Sequence, residues 1–343
     1  MRIAITVDPE IPVPPLYYGG IERIVSMLVN EFTLLGHEVT LFANESSVTP
    51  ALLKFYPGKS SRSKIDTIRN MHLLSTEIYN GDFDLLHSFS RLAYLTFILP
   101  FSLPKIMSYQ RRPTVSQIKK ANKLAYKDSL IFTGCSDFIS NQIKPYGLAR
   151  TIYNGFAPEI YEFSESVSLQ APLVFLGRIE PAKGTHLAIE IALKSNKKLI
   201  IAGNIPAEYQ SYFSEKIAPH INNEQIRYIG QIDDTEKSEL LSKALAFLMP
   251  IEWDEPFGIV MIEAMACGTP VIGLNRGAVS EVVKDGVSGF ICSNIDECVK
   301  SVSEVSKLDR NEVRQEALSN FSSKVIAQRY LELYQERISI MNK

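Results

Sequence analysis

Two carboxylates, Glu255 and Glu263, punctuate the stretch EPFGIVMIEAMACGTPVIG (255–273). Glu263 lies inside the near-continuous apolar run from Phe257 to Cys267, and Glu255 stands just before it. Burying an ionised carboxylate without a partner costs several kcal/mol, so both should hold something. A helix starting near Phe257, after Pro256, turns about 100° per residue. Eight residues then carry Glu263 about 80° past two full turns, so both carboxylates can face one bound molecule. The amides at such a helix start favour an anion such as phosphate. Carboxylates beside them suit sugar hydroxyls on either side of a diphosphate, one on a ribose and one on a second sugar. The same residues also allow a structural use, with Glu255 as a helix cap and Glu263 paired to a neighbouring base.

Further residues suit that chemistry. In FLGRIEPAKG (175–184), Arg178 ends an apolar strand and Lys183 precedes a helix, so two cations could neutralise charge on a departing diphosphate. Gly19 and Gly20 lie between the first strand and the first helix, where missing side chains let a backbone approach a ligand. Standing alone, such a pair is as readily a turn, and it is not the G-x-G-x-x-G of a nicotinamide site. His87 ends DLLH at a strand's carboxyl edge. Asp82-Phe83-Asp84 precedes a strand instead of following one, so it reads as solvated charge, and no catalytic metal is expected.

The elements that would position these residues alternate regularly. Ile3–Val7 is a strand, Ile21–Leu35 a helix stopped by Gly36, and Val39–Phe42 the next strand. Strands follow at Leu85–His87, Ile106–Tyr109, Leu130–Thr133 and Thr151–Tyr153, the last closed by Asn154-Gly155. A Ser-, Glu- and Pro-rich linker covers about 156–171. Beyond it come strands at Leu173–Leu176, Lys198–Ala202, Ile226–Ile229, Leu245–Met249, Pro270–Leu274 and Gly289–Cys292, then an amphipathic helix, VIAQRYLELYQERI, after Ser322-Ser323. This is an α/β pattern of two Rossmann-like domains, 1–160 and 171–322, with a final helix over 323–343. Their parallel sheets should face an interdomain cleft, where such sheets bind ligands at the carboxyl ends of their strands.

Composition agrees with a globular chain. Its 343 residues suit two domains of about 100–200 residues each, and 45% apolar with 22% charged residues is ordinary. The start, MRIAITVD, lacks the features of a signal peptide, and the longest apolar stretch, Leu92–Pro104, is too short to span a bilayer. Four scattered cysteines, with no C-x-x-C pair, indicate a reducing, cytoplasmic setting and no structural metal. The halves differ in charge, +4 over residues 1–160 and −6 over the rest. Seven basic residues and no acidic one lie between Lys105 and Lys127. That stretch suits an anionic acceptor or the inner face of a membrane, or else is a solvated basic face. Nothing marks a nucleic-acid partner, and oligomeric state is not legible.

EPFGIVMIEAMACGTPVIG resembles the E-x7-E signature of the retaining glycosyltransferases of family GT4, which have the GT-B fold. FLGRIEPAKG is similar to that family's G-R-x4-K-G element, YGGIERIV (18–25) to its glycine-rich first loop, and NRGAVSEVVKDGVSGF (275–290) to the region after the signature. The resemblance covers nearly the whole chain, including the last helix, which in GT-B proteins crosses back onto the first domain. It implies sugar transfer from a nucleoside diphosphate sugar, UDP most commonly, to a hydroxyl acceptor without a metal or other cofactor, as in polysaccharide biosynthesis. It also implies a role for each site residue. Glu263 takes the ribose, Glu255 the transferred sugar, and the amides of Phe257, Gly258, Ile259 and Val260 the sugar and phosphate. Arg178 and Lys183 bind the diphosphate, and Gly19 and Gly20 complete the phosphate site on domain closure. His87 matches a common D-x-x-H histidine with an acceptor-side or catalytic-support role. Near it, Tyr109, Gln110 and Arg111 flank the acceptor, and Gln110 stands where many relatives have a histidine. Glutamine bonds a hydroxyl but relays no proton at neutral pH. No residue presents itself as a covalent nucleophile, which fits same-face departure and attack. Rival readings keep the fold: an epimerase, a phosphorylase, or a non-catalytic nucleotide-sugar-binding subunit.

Overall fold

Short β-branched runs become the strands of two parallel sheets in the computed structural model, which describes residues 1–17 and 19–342. Tyr18, which opens YGGIERIV, and Lys343, the end of the expected last helix, lie outside the described residues. The chain divides into two units, Met1–Gly155 with Ser323–Lys343, and Phe156–Ser322.

The first unit holds β1 (Arg2–Thr6), β2 (Glu38–Ala43), β3 (Leu52–Phe55), β4 (Leu85–Ser88), β5 (Lys105–Tyr109), β6 (Leu130–Gly134) and β7 (Ala149–Thr151), in the order β3-β2-β1-β4-β5-β6-β7. Four helices cross between strands: α1 (Gly20–Leu34), α2 (Lys64–Asn80), α3 (Val115–Leu124) and α4 (Asp137–Ile143). On α1, Val25, Leu28, Val29 and Phe32 are buried, the three-to-four-residue spacing of a helix covering one face of a sheet. Ile5 pairs with Leu41 of β2 and with His87 of β4, so the chain reverses its direction of travel between β1 and β4.

Two strand expectations change. β3 falls where none was expected, because it is an edge strand with Leu52 and Phe55 exposed and carries no buried alternation. β7 ends at Thr151 instead of running to Tyr153. Asp82 and Asp84 are tied to Arg2: the Arg2 backbone N–H donates to Asp84 at 2.7 Å, and the guanidinium meets both carboxylates.

The second unit holds β8 (Leu173–Leu176), β9 (Leu199–Ala202), β10 (Ile226–Tyr228), β11 (Ala246–Met249), β12 (Val271–Leu274) and β13 (Gly289–Cys292), in the order β10-β9-β8-β11-β12-β13. Its helices are α5 (Thr185–Lys194), the single turn α6 (Gln210–Tyr212), α7 (Asp234–Ser242), α8 (Ile259–Ala266), α9 (Val279–Val282), α10 (Ile295–Glu304) and α11 (Arg310–Phe321). Asp233 and Glu236 close a capping box at the start of α7. Leu173, Phe175, Ile201, Leu248 and Ile272 build the core under these helices. Here the reversal falls between β8 and β11, which pair through Leu173–Ala246 and Val174–Phe247. A parallel sheet opens a crevice at the carboxyl ends of such a pair.

The last helix, α12 (Ser323–Met341), belongs to the first unit. Tyr330 and Tyr334 are buried, and the Tyr334 ring lies 5.6 Å from Phe32 of α1.

Candidate functional site

Chain reversal at β8 and β11 fixes which loops meet. The chain leaving β8 supplies Arg178 and Glu180, then a 3-10 turn, Pro181–Lys183; the chain leaving β11 supplies Glu252, Trp253 and Glu255. Lys183 Nζ donates to Glu255 Oε2 at 2.6 Å, and Trp253 Nε1 donates to the same oxygen at 2.9 Å. The Lys183 ammonium also sits 4.7 Å from the centre of the Trp253 ring, a cation–π contact. One step away, Arg178 Nη2 donates to Glu180 Oε1 at 2.9 Å. Arg178 is 36% exposed at its side chain and Glu180 only 7%.

The backbone of Glu255 is itself held. Ala278 N–H donates to its carbonyl at 2.9 Å, and a Cβ on Gly277 would stand 2.2 Å from that oxygen. Gly277 also has φ +60°, so only glycine fits there. This gives NRGAVSEVV its local purpose.

α8 starts at Ile259, with Gly258 at the N-cap in the left-handed region, two residues later than the expected start near Phe257. The delay has a packing cause: Phe257 is buried, with its ring 5.8 Å from Phe321 of α11. Glu263 therefore sits one turn into α8 instead of two, and Ile259 and Val260 open the helix.

Glu263 is 2% exposed and its charge is paired. Tyr161 Oη and Lys237 Nζ, each at 2.6 Å, both donate to its Oε1. Lys237 also pairs with Asp234 at 2.9 Å and lies 5.3 Å from the centre of the Tyr161 ring. Burial and the neighbouring Glu263 charge push the Cys267 thiol up to about 12, so it stays protonated. Lys237, Tyr161 and Trp253 escaped the sequence reading. Only Trp253, the chain's single tryptophan and two residues from Glu255, left a local trace.

In the first unit the expected residues separate. His87, taken from sequence as an acceptor-side or catalytic-support residue, is corrected to a buried core histidine. Its Nε2 meets Ser108 Oγ at 2.6 Å, its Nδ1 meets the Tyr334 hydroxyl, and burial lowers its pKa to about 3. Tyr109 also turns inward, 5.9 Å from the Phe132 ring, with burial pushing its hydroxyl up to about 12. Gln110 accepts from Asn154 Nδ2 at 2.7 Å, while Arg111 is exposed. Gly19 precedes α1, and a Cβ there would stand 2.6 Å from that of Pro15. Just inside that helix, Glu22 is buried, and burial followed by the charges of Asp8 and Glu10 raises it to about 7. No group of three or more His, Cys, Asp or Glu among the described residues could hold a metal ion.

The family described as Glycosyl transferases group 1 matches residues 159–322, a span containing Tyr161, Arg178, Lys183, Lys237, Trp253, Glu255 and Glu263. Spore coat protein SA of Bacillus subtilis (strain 168) is 23% identical over 393 residues, 98% of this chain and 100% of that protein. Glycogen synthase of Mycobacterium tuberculosis (strain ATCC 25618 / H37Rv) is 30% identical over 226 residues, 60% of this chain and 54% of that protein. Among solved structures, Anabaena HepE in complex with UDP and glucose superposes with a TM-score of 0.74 at 19% identity, over 98% of this chain and 100% of that one.

Proposed function

We propose a donor and a mechanism for this chain, which belongs to the group 1 glycosyltransferases, has the GT-B fold and is therefore a sugar-transferring enzyme. The donor is a nucleoside diphosphate sugar, and HepE, whose structure holds UDP and glucose, makes UDP-glucose the first to try. The acceptor is a hydroxyl, and the anomeric configuration is retained.

The observation that carries this reading is the Lys183–Glu255 pair at the carboxyl ends of β8 and β11. Lys183 and Trp253 occupy Oε2 of Glu255, so Oε1 carries no protein donor among the described residues and is suited to a hydroxyl of the transferred sugar. Lys183 and the partly exposed Arg178 are the cations for the diphosphate. Their charge stabilises the oxygen that the sugar leaves, the step at which negative charge grows. The amides that open α8 at Ile259 and Val260 add their dipole, and Glu263 receives the ribose. The bond from the anomeric carbon to the phosphate oxygen breaks, and the acceptor oxygen bonds to the same face. The acceptor's proton passes to the departing diphosphate. Such a reaction asks the protein for charge and position, and for no metal.

The basic bank suggests a place of work. Arg111, Arg112, Lys119, Lys120, Lys123 and Lys127 are all exposed on and around α3, and Leu124 and Tyr126 are exposed among them. Cations interleaved with apolar side chains suit an anionic lipid surface.

Trp253 supplies the test, because any fluorescence change at the only tryptophan reports on Glu255 and Lys183 directly. Titration with UDP-glucose, UDP-galactose, GDP-mannose and ADP-glucose should quench it for one donor class. That donor should release nucleoside diphosphate in the presence of an acceptor, and NMR of the product should show a retained anomer. No response to any nucleotide sugar, or an inverted product, would overturn the reading.

A further inference from the structure

The two glutamates of the signature are held in the same way by unrelated parts of the chain. Glu255 gives one oxygen to a lysine and an aromatic N–H, and Glu263 gives one oxygen to a lysine and an aromatic O–H. In each case the lysine also lies over the face of that aromatic ring. A carboxylate oxygen offers about two in-plane lone pairs, so two donors fill it. Both donors to Glu263 converge on Oε1, and Oε2 has no protein donor among the described residues.

The clamp is itself built in. Tyr161 lies 102 residues before Glu263 in sequence, and Lys237 lies 26 before it. Next to Tyr161, the Glu162 N–H donates to Ser238 Oγ at 2.8 Å, which fastens that segment to α7 beside Lys237. On the other side Arg314 Nη1 donates to the Tyr161 carbonyl at 3.3 Å and also to that of Ala266 at the end of α8. Asp234 also holds the Lys237 ammonium, at 2.9 Å. The Tyr161 backbone segment is thus tied to α7 through Ser238 and to α11 through Arg314, and the Lys237 ammonium to Asp234.

We propose that Tyr161 and Lys237 are positioning residues. By occupying Oε1 of Glu263 they aim Oε2 at the ribose hydroxyls of the donor and so set the enzyme's preference for a ribonucleotide. This rests on the reading that Glu263 receives the ribose. Tyr161 fixes the carboxylate's rotation, since a hydroxyl bond is directional. Lys237 sets a cation against the carboxylate in a nearly closed site. Neither touches the reacting atoms.

The experiment titrates UDP, 2′-deoxy-UDP and 3′-deoxy-UDP into the full chain and follows Trp253 fluorescence. Wild type and the Glu263→Gln, Tyr161→Phe, Lys237→Met and Lys237→Arg variants are compared. A bond to a charged group is worth enough for about a tenfold change in affinity. Wild type should prefer UDP over at least one deoxy analogue by about that factor. Tyr161→Phe and Lys237→Met should shrink that ratio by weakening UDP alone, and Lys237→Arg should restore most of it. Should Lys237→Met not fold, Tyr161→Phe decides. An unchanged ratio in Tyr161→Phe, or an equal loss of all three ligands, overturns the positioning role while leaving Glu263 at the ribose. A wild type without preference, matched by Glu263→Gln, removes the ribose reading and the positioning role with it.

Discussion

Lys183 and Glu255 stand 72 residues apart in sequence and meet at 2.6 Å, the ammonium on one carboxylate oxygen and against the face of Trp253. Their side chains are 18% and 10% exposed, so water screens the pair only weakly. Removing either partner strands a charge that is mostly buried.

That coupling makes the pair's mutants non-additive. Lys183→Met and Glu255→Gln should each lower kcat/KM by at least about a hundredfold, the cost of one lost group that stabilises the transition state. The double variant should lose much less than the product of the two, because the residues act as a unit. Steady-state kinetics on all four proteins measures the cycle, and strict multiplicativity would show that the pair is not shared in catalysis.

Arg178 should respond to shape as well as charge. A guanidinium can grip a phosphate with two parallel bonds while it leans on Glu180, whereas an ammonium acts as a point charge. Arg178→Lys should cost about tenfold in kcat and Arg178→Ala about a hundredfold, given the roughly 2.7–4 kcal/mol range of single charge-stabilising groups. Equal rates in Arg178→Lys and wild type would confine its role to charge.

His87 should leave a signature in acid. Its pKa falls from 6.5 in the unfolded chain to about 3 in the fold because burial disfavours the imidazolium. The neutral ring thus contributes fully above pH 6.5. As pH falls below that value the unfolded chain takes up a proton that the fold does not, and stability drops by about 1.4 kcal/mol per pH unit until about pH 3. Denaturant unfolding from pH 7 to pH 4 should show a shallower decline in His87→Gln than in wild type. Parallel curves would mean that the ring is not held neutral.

Basic side chains near a membrane each contribute about 1 kcal/mol of attraction to anionic lipid. Reversing Lys119, Lys120 and Lys123 to Glu should therefore reduce binding to phosphatidylserine vesicles by at least about a hundredfold. Donor-induced quenching of Trp253 should persist. Vesicle flotation with and without 0.5 M salt, on the order of a concentration that screens such surfaces, checks this. Flotation unaffected by the reversal would leave the bank as a solvated face.

Much of the architecture was legible because it depends on local patterning. A strand buried on both faces must read as a short apolar run, and a crossing helix must show its three-to-four-residue stripe, so β1, β8, β11 and α1 stood out within a residue or two. β3 did not, since a half-exposed edge strand imposes no such pattern. The start of α8 slipped because the left-handed backbone of Gly258 and the buried ring of Phe257, not Pro256, decide where the helix begins.

At the site the sequence by itself determined the residue types and their spacing: two carboxylates eight residues apart, two cations beyond a strand end, and an apolar helix to carry one of the acids. Their types and spacings are one-dimensional facts. Only the tertiary structure decided the partnerships, because an ion pair or hydrogen bond forms at about 3 Å in space whatever the distance along the chain. So Lys183 was legible as a cation but not as the partner of Glu255, and Lys237 and Tyr161 were not legible at all. His87 shows the reverse case. Its place at a strand end looked functional, but Tyr334 of α12 and Ser108 of β5 take its two ring nitrogens into the core.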